Sequence, residues 1–184
     1  MSPRTARPSP VLSDDDGRTT ETLRRFYDVE ARLLDSYDYP NWLPLLEDEF
    51  TYRVPVTVTR DDPSLPPSIP GAYLVDESRD SLASLWARRF EPDQIDFAWG
   101  EVPLHRVRRF VTNVLVEPGD RHNEYVVDSN VLISVVHQAH PAVVAPAGRR
   151  DVVRRRTGGG WGLVSRNAVF DESVIRLPHL RMVV

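Results

Sequence analysis

Phe50-Thr51-Tyr52-Arg53-Val54-Pro55-Val56-Thr57-Val58-Thr59 is the stretch on which the reading of the fold turns. Phe50, Tyr52, Val54, Val56 and Val58 alternate with Thr51, Arg53, Pro55, Thr57 and Thr59. A period of two sends the two sets to opposite faces, so this is a half-buried strand. Proline donates no ladder hydrogen bond, so Pro55 marks an edge position or a bulge.

Toward the N-terminus the period is different. Leu23, Phe26, Tyr27, Ala31, Leu34 and Tyr37 recur at steps of three and four and form one apolar stripe, the mark of a helix packed on a core. The pattern begins near Thr20, with Glu21 in the first turn, where negative charge suits the helix dipole. Residues 41–46 predict a second short helix, with Asn41 as cap and Pro44 in the first turn. Residues 1–16 are rich in Pro, Ser and Asp and too polar to offset their ordering entropy. The expected division is a flexible tail over 1–19 and a single domain over 20–184.

Toward the C-terminus, the proline-rich residues 61–71 predict a long loop. Leu82, Leu85, Trp86 and Phe90 share one face of a predicted helix over 80–90. Strands are then predicted over 106–117, 124–137, 149–157 and 161–171. Gly158-Gly159-Gly160 joins the last two, since glycine tolerates the positive φ of a hairpin turn. Helices first and an antiparallel meander afterwards predict an α+β fold, with helices on one face of a curved sheet.

Composition narrows the chemistry. A chain of 184 residues buries roughly 70% of its unfolded surface without a covalent staple. It has no cysteine, which excludes disulfides, thiolate zinc sites, iron–sulfur clusters and thiol nucleophiles within it. All 23 basic residues are arginine, and the formal net charge is −4. That balance opposes general binding to nucleic acid or anionic membranes. No apolar run is long enough to span a bilayer. The N-terminus lacks the apolar core of a signal peptide, so the expected location is cytoplasmic.

Several runs, in order, resemble the small (beta) subunits of aromatic-ring-hydroxylating dioxygenases. Phe26-Tyr27-Asp28-Val29-Glu30-Ala31-Arg32-Leu33-Leu34-Asp35 is similar to their opening helix, followed by Trp42-Leu43-Pro44-Leu45-Leu46 and Tyr52-Arg53-Val54-Pro55-Val56. Arg106 to Val114, Val127-Asp128-Ser129-Asn130-Val131-Leu132, Gly148 to Arg155, Gly159-Gly160-Trp161 and Asp171 continue the series. Two features depart from the pattern: Arg109 stands where that family usually has histidine, and 137–147 replaces a more charged segment. The resemblance implies a cone of the nuclear transport factor 2 type. It also implies a non-catalytic subunit that trimerises and scaffolds a large (alpha) subunit. That partner would carry a Rieske [2Fe–2S] cluster and a mononuclear Fe(II), and this chain no cofactor. The complex would dihydroxylate aromatic rings in aromatic compound catabolism, with electrons relayed from NAD(P)H by a reductase and ferredoxin.

Some residues also offer chemistry of their own. Of the five histidines, His105, His122, His137, His140 and His179, only His137 and His140 are close in sequence. Their spacing enters a Pro-Ala loop rather than a helix face, so no metal site is expected. A stand-alone lyase or isomerase of this fold would draw its acid–base groups from Tyr27, Asp35, His105, Asp128 and Asn130. The plainer roles are preferred: Tyr27 lies on the apolar stripe, Asp35 closes a helix, and Asp128 can pair with an arginine. A ligand-binding module without catalysis is the third alternative. The strand arginines Arg106, Arg108, Arg149, Arg150 and Arg154, with Asp151 among them, are the expected contacts at a subunit interface, because arginine pairs in planar bidentate geometry.

Overall fold

The computed structural model describes residues 14–62, 64–97 and 102–184. The stripe read from the sequence is the buried face of helix α1 (Asp14–Asp35), where Leu23, Phe26, Tyr27, Ala31 and Leu34 are all buried. The helix begins six residues before the apolar pattern does. Those extra residues contain no large apolar side chain and so give no periodic signal. Residues 1–13 of the expected tail lie outside the described residues.

The second predicted helix is two short turns instead. Helix α2 (Tyr39–Trp42) is capped by Asp38, not Asn41, and a 3-10 turn (Leu43–Leu45) follows. Pro40 and Pro44 stand too close together for one regular helix to hold both beyond its first turn.

Strand β1 (Leu46–Thr57) starts four residues earlier than predicted and ends two earlier. Its register against β2 (Ser68–Ser78) shifts on either side of Pro55, and its pairing with β6 ends at Arg53. Pro55 is therefore a bulge residue, not an edge marker. Strand β2 itself corrects the sequence reading, which had extended the 61–71 loop into it. It is an edge strand in which only Val75 is buried, so no apolar alternation announces it. A helical segment runs from α3 (Arg79–Ser81) through a π turn (Leu82–Trp86) to a 3-10 turn (Ala87–Phe90), close to the predicted 80–90.

Strands β3 (Arg106–Pro118), β4 (Glu124–Val136), β5 (Val143–Arg155) and β6 (Trp161–Phe170) complete a six-stranded sheet of order β2-β1-β6-β5-β4-β3. All pairings are antiparallel except β1 with β6. Strand β5 begins six residues before its prediction, because Pro146 hid its first half. Gly159 and Gly160 adopt φ of 90° and 81° in the β5–β6 hairpin, as such a turn requires. The sheet curls around α1, which crosses the β3 side. The last residues also enter the core: Met182, Val183 and Val184 are buried, and the Val184 amide donates to the Tyr52 hydroxyl at 3.1 Å.

Candidate functional site

The centre of the curled sheet holds four charges. Glu30 projects from the buried face of α1, Arg149 and Asp151 from β5, and Arg166 from β6; all four are buried. Arg166 clamps both carboxylates. Its Nη1 and Nη2 donate to the two Glu30 oxygens at 2.8 Å each, and its Nε and Nη2 donate to Asp151 at 3.0 and 2.9 Å. Arg149 lies 3.3 Å from Asp151 and 3.8 Å from Glu30, donates to the Ser129 hydroxyl at 3.2 Å, and stacks 4.5 Å over the Tyr27 ring. The Trp42 indole donates to Glu30 at 3.2 Å. Two positive and two negative charges cancel, which is what makes burial of ions tolerable.

Electrostatics follow the geometry. Burial alone would raise the Glu30 carboxyl, but Arg166 and Arg149 outweigh it and hold Glu30 below the ordinary carboxylate range. Burial would also favour loss of the Arg166 charge, and Asp151 and Glu30 reverse this, raising it well above its ordinary value. Burial pushes Tyr27 well above its ordinary value, with Asp151 adding to the effect. Tyr52 is pushed up to about 12, again by burial first. These shifts hold Glu30 and Arg166 in their charged forms and Tyr27 and Tyr52 in their neutral forms at neutral pH.

The five acid–base candidates are not brought together. Tyr27 lies in the interior beside Arg149. Asp35 closes α1 and accepts from the Arg109 guanidinium at 2.7 Å and from the Arg109 amide at 3.1 Å, tying the helix to β3. Asp128 takes two hydrogen bonds from Arg150, at 3.0 and 2.8 Å, and shares with Asn130 a shallow surface depression of about 370 Å³. His105 is buried just before β3, where its carbonyl accepts from the Tyr37 hydroxyl at 2.8 Å.

That last position holds a cluster the sequence did not disclose. The His105 ring stacks on His137 at 4.4 Å and meets His179 edge-on at 5.4 Å; His140 stacks on His137 at 6.1 Å. Among the described residues, no group of three or more His, Cys, Asp or Glu has a geometry able to hold a metal ion. A Rieske cluster needs two cysteines as well as two histidines, and a chain without cysteine does not fit it.

The arginines divide by face. Arg149 and Asp151 were expected at a subunit interface, but alternation along β5 turns them inward to Glu30 and Arg166. Arg106, Arg108 and Arg150 point outward. Arg154 joins Glu124 and Glu49, each at 2.7 Å, at one end of the sheet. The outward face of β3-β4-β5 also carries a row of paired positions, Phe110, Leu132 and Pro146. Phe110 is 53% and Leu132 39% exposed, and Val144 in the next row is also exposed.

A curled, mainly antiparallel six-stranded sheet packed on an N-terminal helix places the chain in the α+β class. Comparison with known proteins makes this specific. A match to the ring hydroxylating beta subunit family spans residues 29–177. The biphenyl 2,3-dioxygenase subunit beta of Rhodococcus jostii is 30% identical over 97% of this chain and 95% of its own. The benzene 1,2-dioxygenase subunit beta of Pseudomonas putida is 27% identical over 95% of this chain and 91% of its own. A solved naphthalene 1,2-dioxygenase structure with indole in its active site matches with a TM-score of 0.75 at 22% identity, covering 95% of this chain and 96% of that one; this supports the fold. The chain belongs to the ring hydroxylating beta subunit family. Among the described residues, no helix is long and apolar enough to cross a membrane.

Proposed function

We propose that this chain is the non-catalytic, assembling subunit of a Rieske-type dioxygenase acting on aromatic rings. It trimerises, seats a large subunit at each copy, and fixes the spacing across which electrons pass between neighbouring metal sites. The Rieske [2Fe–2S] cluster and the mononuclear Fe(II) belong to the large subunit, and a ferredoxin and reductase deliver electrons to the complex in the cytoplasm. The observation that carries this reading is the outward row of Phe110, Leu132 and Pro146 across three paired strands. Large apolar side chains held in register on an open sheet face mark an association surface. Arg106, Arg108 and Arg150 stand around the row and supply the polar rim such surfaces use. The acid–base alternative has less support: of its candidates only Asp128 and Asn130 share a depression, an open one at the surface, while Asp35 and Asp128 are each engaged by an arginine. Sedimentation of the purified chain, alone and with its large subunit, tests the proposal. Trimers and a mixed complex are expected. A strict monomer that ignores the large subunit would contradict it.

A further inference from the structure

The N-terminal half of α1 and the β5–β6 hairpin stand apart, leaving an open groove of about 1060 Å³. Phe26, Val29, Leu45 and Trp161 form its apolar floor, and Arg18, Arg25, Arg155 and Arg156 stand along its rim. On the helix side, Arg18, Thr22, Arg25 and Val29 follow one another at helical spacing, so one continuous face of α1 looks into the groove.

The rim charges are not balanced. Arg156 is answered by Glu47 at 2.7 Å. Arg155 is not: its guanidinium lies 5.0 Å over the Trp161 ring and donates to the Thr19 hydroxyl at 2.9 Å. Among the described residues, Arg18, Arg25 and Arg155 enter no ion pair. Among the described residues, three guanidinium groups without an ion pair thus line the groove with one carboxylate, Glu21, in a chain whose net charge is −4. The positive charge is concentrated where the apolar floor is open.

We infer that this groove receives an acidic segment of the large subunit, with an apolar side chain seated between Phe26 and Trp161 and carboxylates paired with Arg18, Arg25 and Arg155. This rests on the subunit reading above and assigns that partner a place. Arginine offers planar bidentate recognition of carboxylates. A desolvated aromatic pocket ringed by charge is how protein interfaces concentrate their affinity. The groove lies on a different part of the molecule from the Phe110 row, so one chain can meet copies of itself and its large subunit at once.

The test uses the full chain and its large subunit. Arg18 and Arg25 are exposed on α1, so the Arg18→Glu/Arg25→Glu double variant should keep its melting temperature. Thr22, also exposed, is changed in a second variant, Thr22→Trp, which blocks the groove without altering charge. Affinity for the large subunit is measured at about 50 mM and about 500 mM salt, across which surface electrostatics are progressively screened. The double variant should bind about tenfold or more weakly at low salt, with the difference shrinking at high salt. Thr22→Trp should weaken binding at both. An Arg176→Glu control, outside the groove, should bind like the parent. Unchanged affinity and salt dependence in both groove variants would overturn the assignment while leaving the subunit reading intact. Loss of self-association with large-subunit affinity intact would overturn it too, giving the groove to a second copy. Failure of the unaltered chain to bind the large subunit would sink the subunit reading itself.

Discussion

Arg166 is the residue on which the interior depends, because it makes paired contacts to both buried carboxylates. Removing either partner leaves an uncompensated buried charge, which costs about 3–5 kcal/mol. Asp151→Ala and Glu30→Ala should each lower unfolding stability by that amount in urea titrations. A loss below about 1 kcal/mol would show that the cluster is not tightly closed. Because Asp151 is inside the fold, its loss should weaken folding first and assembly only as a consequence, the reverse of what an interface role predicts. Glu30 also gives the fold a pH signature. Its carboxyl is held below the ordinary value, so its contribution is complete above about pH 4.3, the unfolded value. That contribution is lost as pH falls through the lowered value. Stability should therefore fall in acid, and Glu30→Gln should flatten the fall; an unaltered acid slope in the variant would contradict this. The sequence reading gave neither Glu30 nor Arg166 a place in the centre, although each carried a signal. Glu30 lies three residues after Tyr27 and four before Leu34, on the apolar stripe, and a charge there calls for a buried partner. Arg166 follows the inward alternation of Ala168 and Phe170. Neither pattern names the other residue, since they are 136 positions apart, and pairing across that distance is a product of the sheet.

At the scale of elements, strong periodicity read correctly and its absence misled. Helix α1 and strands β3 and β4 were legible because each buries mainly one face, and β6 because apolar residues follow the glycine turn closely. Strand β2 was not, because an edge strand with one buried residue needs no alternation. The β5–β6 hairpin was legible from its glycines, and it yields a direct check. Gly160 holds φ at 81° with open space around it, so a side chain there meets backbone strain and no clash. Gly160→Val should cost about 1–2 kcal/mol, seen as a lower urea midpoint. An unchanged midpoint would mean the turn can take another form. The histidine cluster and the burial of Met182 to Val184 were invisible for a related reason. They depend on a tail without regular structure folding back onto the start of β3 and onto Tyr52.

At the scale of the whole molecule, the proposed self-association surface is the outward row of Phe110, Leu132 and Pro146. On this account Leu132→Asp, at the middle of the outward row, places a charge in a copy-to-copy contact. It should shift the isolated chain toward monomer in sedimentation while its melting temperature holds. A trimer that persists would move the self-association surface elsewhere. The central claim is that this chain organises metal chemistry which it does not itself perform. Its donor set makes the claim sharp: there is no cysteine, and among the described residues no histidine or carboxylate group is arranged for a metal. The most direct test is iron analysis of the chain purified alone and of the complex it forms with its large subunit, each with and without His137→Ala. The account predicts less than about one-tenth of an iron per isolated chain, on the order expected of a protein with no ligand set. It further predicts iron in the complex that follows the large subunit and is unchanged by the substitution. Iron at about one per isolated chain, lost in His137→Ala, would contradict it and make the histidine cluster a metal centre.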